Sequence, residues 1–374
     1  MTPPRSRRFS RRAFAAGSLA AVGGFGVPAV HARAQDAQKV LRILGWPSYF
    51  NDNLTAAFRE ANNCRIEITG IATPDDTMLF LRAGGVGFYD IVAPTVGLVN
   101  PLGASGLLAE LDPTKLTNFG GLFPEFQALP AAAVDNKRYG VPLLWGTFPL
   151  VSSAAVTDLP AEWLDLRDKS YQNQLVMPDD GLGHFSIWNW ALGAEDPMRV
   201  SQDWLDNTTD VLIELKQTRA ASFGGTAYDA MMKVANGTAQ FSTIGWQSAP
   251  LLTRTDQQAL ATSLPAPGGL SFCDCIAIVA DSHDPELSQQ FIDYMISNDV
   301  QRDLINSTRW ATVGQSVPPA LQPEIAALYT YDNLDDWLAG SPVRGYPPVG
   351  DDGSGSATYL DWIIAWDRVR QAKM

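Results

Sequence analysis

Cysteine is scarce in this sequence. Only Cys64, Cys273 and Cys275 occur among 374 residues, and an odd number excludes complete intrachain pairing, so a disulfide framework does not hold the fold. Cys273 and Cys275 flank Asp274 in an apolar run that reads as a buried strand. A period of two sends both thiols to one face, as small core residues. Histidine is as rare, with His184 and His283 about a hundred positions apart beyond the N-terminal segment. Together with a C-x-C that lacks zinc-site spacing, this argues against a metal centre, and no cofactor is expected. There is no G-x-S-x-G elbow and no H-E-x-x-H. The sequence therefore predicts neither catalytic residues nor an enzyme.

Long apolar runs are missing too, apart from one near the start. Arg5, Arg7, Arg8, Arg11 and Arg12 precede an apolar stretch from Ala13 to Val30 that ends in Ala32-Arg33-Ala34. Ser18, several glycines and Pro28 interrupt it, which excludes the roughly 20 strongly apolar residues of a membrane anchor. Ser10-Arg11-Arg12-Ala13-Phe14 fits a twin-arginine leader, so residues 1–34 are read as a signal peptide cleaved after Ala34. No cysteine near that point supports a lipid anchor, and the mature chain is expected free in the periplasm. Basic charge is in deficit: removing residues 1–34 leaves 21 basic against 40 acidic residues. Such a surface repels nucleic acid and anionic lipid, and is compatible with cationic ligands.

From Lys39 the chain alternates strands and helices. Strands are expected at 40–44, 65–68 and 89–93 and helices at 53–61, 75–83 and 98–106, an α/β pattern with a mainly parallel sheet. Val141-Pro142-Leu143-Leu144-Trp145-Gly146 and the residues to Ser152 read as a crossing into a second α/β run. That run has strands at 174–177 and 239–244 and helices through 184–192 and 200–217. Pro265-Ala266-Pro267-Gly268-Gly269 marks the return crossing before a strand at 272–279. The sequence thus predicts a two-lobed α/β protein with crossing strands, residues 38–145 and 271–318 forming one lobe and 146–270 and 319–374 the other. Ligands of such sheets bind beyond the carboxyl ends of the strands. Aromatic residues cluster there: Trp46, Tyr49, Trp145, Trp246 and Trp310. Aromatic walls suit a flexible cation, whose methylenes pack on the rings and whose ammonium is drawn to their faces.

Several collinear patches resemble the periplasmic spermidine/putrescine-binding proteins. Leu44-Gly45-Trp46-Pro47-Ser48-Tyr49 is similar to that family's N-W-x-x-Y element, and Tyr89-Asp90-Ile91-Val92-Ala93-Pro94-Thr95 to its Y-D-[LV]-V-x-P-S strand. Leu111-Asp112-Pro113-Thr114-Lys115-Leu116-Thr117-Asn118 resembles the turn that follows. Ile244-Gly245-Trp246 resembles an element of putrescine-type members, Phe272-Cys273-Asp274 the element with the main amine-binding aspartate, and Trp310 falls where a site tyrosine usually stands. The resemblance implies a periplasmic-binding-protein fold, a monomeric solute-binding component that serves the membrane permease subunits of an ABC importer, and a small cationic ligand between two lobes. It implies walls from Trp46, Tyr49, Trp246, Phe272 and Trp310, a hydrogen bond from Thr95, an amine partner in Asp274 and a second carboxylate in Asp180. Gly97, Gly183 and Ala249 depart from the pattern, standing where an aromatic and two acids are expected. A ligand with one cationic end, or a short diamine, is therefore expected over spermidine. The alternative on the same fold is an amino acid, another monoamine or a sugar.

Overall fold

Lys39–Gly45 is the first strand of the computed structural model, which describes residues 38–253 and 259–374. The expected leader over residues 1–34 lies outside the described residues. Gln38 to Met374 form one compact unit built on two large sheets, with a two-stranded hairpin of Ala133–Val134 and Lys137–Arg138 besides.

The larger sheet has six strands in the order Ala311–Thr312, Val141–Phe148, Leu270–Ile278, Ile91–Val92, Lys39–Gly45, Cys64–Gly70. Its three N-terminal strands pair in parallel, as their alternation with helices dictates. The expectation of a mainly parallel sheet is corrected on its other half. Leu270–Ile278 runs antiparallel to both Ile91–Val92 and Val141–Phe148, because it returns from the second sheet and so enters from the opposite end, and Ala311–Thr312 is antiparallel to Val141–Phe148, which itself keeps the direction of the first three strands. Cys64–Gly70 is an edge strand, and Arg65 and Glu67 pair along it at 2.9 Å, a charged surface that discourages further strand addition. Asn51 starts the first helix, Asp52–Ala61, by accepting hydrogen bonds from the amides of Asn53 and Leu54.

Val141–Phe148 passes through Pro149 into Leu150–Ser153 of the second sheet, and Leu260–Ser263 of that sheet returns to Leu270–Ile278. These are the two crossings. The second sheet has five strands in the order Leu260–Ser263, Leu150–Ser153, Phe241–Ser242, Leu175–Met177, Ala220–Phe223. Helices Gly181–Ala191, Gln202–Thr218 and Tyr359–Gln371 pack beside it, the last against the second of these. The buried Lys216 ammonium fixes the join by donating to the carbonyls of Val369 and Arg370, both at 2.8 Å, at the carbonyl-rich end of the terminal helix.

All three cysteines are free and buried. Trp145 is the aromatic residue whose expected place is corrected. Its ring is fully buried under Tyr329, Tyr331 and Trp337, and its indole N–H donates to the Thr312 carbonyl at 2.8 Å. It belongs to the core beneath the crossing, where an eight-residue strand is buried along its whole length.

Candidate functional site

The first strand ends at Gly45, and a single turn over Pro47–Tyr49 redirects the chain. Tyr49 is thereby buried, and its hydroxyl donates to Asp274 Oδ2 at 2.7 Å. Trp46 is half-buried beside it, the rings 6.5 Å apart. Ile91–Val92 ends similarly, before Pro94 and Thr95. Thr95 bridges Asp274, the Cys275 amide donates to the Pro94 carbonyl at 2.8 Å, and the Thr95 hydroxyl donates to the Cys273 carbonyl at 3.4 Å. Opposite, the pairing register slips between Asp274 and Cys275 where Val141–Phe148 contributes Pro142, which has no N–H to give to the ladder. The bulge sets Asp274 beyond the carboxyl ends of the parallel strands.

Asp274 is only 6% exposed. Burial raises its pKa to about 6, against the opposing pull of the Tyr49 hydrogen bond, the Arg344 charge and Thr95. Burial also pushes the Tyr49 hydroxyl well above its ordinary value, and the neighbouring carboxylate reinforces this, so Tyr49 remains a donor. The site holds a desolvated carboxylate that is poised to gain from a positive partner.

Phe272 lies two residues before Asp274 and shares its face of the strand. Trp310 packs edge-on against Phe272 at 5.0 Å and 89°, and Trp246 packs edge-on against Trp310 at 5.8 Å. Sequence reasoning missed two further rings, Phe148 at 5.2 Å from Phe272 and Tyr228 stacked on Trp246 at 6.4 Å. Trp46 and Trp246 do follow strand ends; Trp310 follows instead the left-handed C-cap of a helix, Arg309 at φ 62°.

Asp180 stands at the carboxyl end of Leu175–Met177 and caps the helix Gly181–Ala191, its Oδ1 accepting from the Gly183 amide at 2.9 Å. His184 secures this turn. Its Nδ1 lies 2.7 Å from the Asp180 carbonyl and its Nε2 2.8 Å from the Thr243 hydroxyl, while burial lowers its pKa. A side chain at Gly183 has no room, since a Cβ there would lie 2.5 Å from Asp180 Oδ2. Asp179 is already committed, accepting from Trp366 Nε1 at 2.7 Å and Arg370 Nε at 2.8 Å. Ala249 is fully buried in a small apolar cluster with Val151, Met231 and Leu260, which explains why no acid stands there.

Sequence reading also missed Arg344. It is 9% exposed, and its Cζ lies 4.7 Å from the Phe148 ring centre. It lines a cavity of about 440 Å³ with Asp75, Asp180 and Tyr359. Asp75 takes hydrogen bonds from the hydroxyls of Tyr346 and Tyr359 at that cavity. A wider groove of about 880 Å³, lined by Tyr171, Gln174, Asn236 and Phe241, opens instead at the amino ends of the second sheet's parallel strands. No functional side chain predicted from the sequence reaches it.

A family described as bacterial extracellular solute-binding protein matches residues 53–332. The chain is 25% identical over 337 residues to a spermidine/putrescine-binding periplasmic protein of Salmonella typhimurium, covering 86% of this chain and 88% of that one. It is 23% identical over 310 residues to a putrescine-binding periplasmic protein of Escherichia coli K12, covering 77% and 81%. Among solved structures, a putative spermidine/putrescine ABC transporter from Listeria monocytogenes superposes with a TM-score of 0.74 at 18% identity, covering 90% of this chain and 100% of that one.

Proposed function

The chain belongs to the bacterial extracellular solute-binding proteins, and we propose that it carries a small ligand with a cationic amine end to the permease subunits of an ABC importer. One observation carries this reading: Asp274, 6% exposed, is held by Tyr49 at the foot of an aromatic wall. An ammonium entering there exchanges water for a charge-assisted hydrogen bond and ring faces. Trp46, Tyr49, Trp246, Phe272 and Trp310 form the walls, Thr95 adds a hydrogen bond, and Asp180 is the second carboxylate of the site. The relatives named above bind spermidine or putrescine by their names, which supports an amine as ligand. Because Gly183 and Ala249 have no space for further carboxylates, a ligand with one cationic end or a short diamine is preferred over spermidine. Desolvating an unpaired second or third ammonium costs several kcal/mol.

The lobes in this reading are residues 38–145 with 271–318 and residues 146–270 with 319–374, closing by hinge motion at the crossings. The protein works as a monomer in the periplasm, reached by twin-arginine export, and performs no chemistry on its ligand. No helix among the described residues is long and apolar enough to cross a membrane. A thermal-shift screen with polyamines, amino acids, choline-like amines and sugars tests the ligand class. A true ligand at 100 times its Kd adds about 2.7 kcal/mol of stability. A response to sugars alone would overturn the amine reading.

A further inference from the structure

Arg344 is set in place by backbone contacts. Its amide donates to the Ser271 carbonyl at 2.8 Å, and Val343 bridges Ser271 in parallel, so the chain runs beside the strand that carries Phe272 and Asp274. The segment reaches this position across Gly97. A Cβ there would lie 2.4 Å from the Gly345 carbonyl carbon and 2.7 Å from the Tyr346 nitrogen. The residue that departs from the polyamine-binding pattern is therefore the one that admits the Arg344 segment.

The guanidinium is incompletely satisfied. Its Nη1 is buried with no hydrogen-bond partner. The acidic groups that bear on it are Asp180 and Asp274. Asp180 is engaged in capping its helix and Asp274 accepts from Tyr49. A buried, fixed cation with a free donor is a receptor for an anion, and a guanidinium matches a carboxylate with two parallel hydrogen bonds. Phe148 supports its face. A ligand with ammonium groups at both ends would put one of them near this like charge in a poorly solvated site, which disfavours it strongly.

We infer that the ligand is a zwitterion, an amino acid whose ammonium pairs with Asp274 and whose carboxylate pairs with Arg344. This rests on the amine reading above and narrows it to a substrate class. Asp274 and Arg344 offer a carboxylate and a guanidinium to the two ends of such a ligand, with Phe148 and Phe272 packed together beside them, while Asp180, the second carboxylate, stays bonded to the Gly183 amide of its helix.

The test is calorimetric titration of the wild-type protein with a matched set: 1,4-diaminobutane, 5-aminopentanoate and 1-aminobutane, together with 4-aminobutanoate and a panel of α-amino acids. The best amino acid should bind at least tenfold more tightly than the diamine and than the monoamine that lacks a carboxylate. Arg344→Gln should weaken the amino acid at least thirtyfold while leaving or improving diamine affinity. If that variant fails to fold, Arg344→Lys, which keeps the charge but loses the two-pronged geometry, should still weaken the amino acid selectively. Tighter binding of diamines than of every amino acid to the wild type, abolished by Asp274→Asn, would overturn the zwitterion assignment and leave the amine site standing. Failure of every amine-bearing compound would bring down the amine site as well.

Discussion

Replacing Asp274 with asparagine should have two opposite effects. Ligand affinity should collapse, because an ammonium buried against an amide has lost its charge partner at a cost on the order of 3–5 kcal/mol, or between two and four decades in Kd. The empty protein should become more stable. Burial raises the Asp274 pKa from 3.8 to about 6, so the folded state binds its proton more tightly than the unfolded chain. The contribution of this group to stability is full below about pH 4 and is lost as pH rises through about 6, a difference of about 3 kcal/mol between the limits. Asparagine has no charge to desolvate and can still accept from Tyr49, so above pH 7 the variant should recover much of that difference. Chemical denaturation of wild type and Asp274→Asn at pH 4 and pH 7.5 reads the stability effect, and calorimetry at pH 7.5 reads the affinity. The same shift predicts that wild-type affinity for an amine falls up to tenfold per pH unit below about 6, with about half a proton released on binding at pH 6. A variant that binds normally would show that Asp274 is not the amine partner, and one that is less stable than wild type at pH 7.5 would show that it is not a desolvated carboxylate.

Tyr49→Phe removes the 2.7 Å hydrogen bond that holds the Asp274 pKa down and should raise the pH below which amine affinity falls, with the fold retained, measured by the same titration across pH. Gly97→Ala places a methyl 2.4 Å from the Gly345 backbone and should cost at least ~1–3 kcal/mol of stability in denaturant, as overpacking does. Trp310→Ala removes the ring between Phe272 and Trp246 and should lower affinity through lost ring contact of about 0.5–2 kcal/mol per cation, seen as a faster dissociation rate. Replacing Arg11 and Arg12 with lysine should block export, since a receptor reads that pair; undiminished periplasmic yield would remove the twin-arginine route.

The parts of the site that follow regular elements were legible in the sequence. Trp46, Tyr49 and Trp246 come directly after apolar runs, and Phe272 and Asp274 share a strand face by their spacing of two. The polarity of the sheet was less so, because parallel and antiparallel buried strands carry the same apolar pattern; here Leu270–Ile278 and Ala311–Thr312 run against the other four strands of the larger sheet. Short strands such as Ala220–Phe223 and Leu260–Ser263 are too brief to show a period. Arg344 was hidden for another reason. It sits in an irregular stretch rich in proline and glycine, where a lone arginine ordinarily reads as surface, and only the passage of that segment over Gly97 buries it. Asp180 follows the strand Leu175–Met177, and its role as a helix cap shows only in its bond to the Gly183 amide.

A crystal structure of the protein with a bound small amine is the direct test of Asp274 as the amine partner. An ammonium nitrogen should lie about 2.7–2.9 Å from an Asp274 carboxylate oxygen, with the ligand's methylenes against Phe272 and Trp310. A ligand seated in the groove lined by Tyr171 and Gln174, or one that leaves Asp274 bonded to Tyr49 alone, would contradict that role.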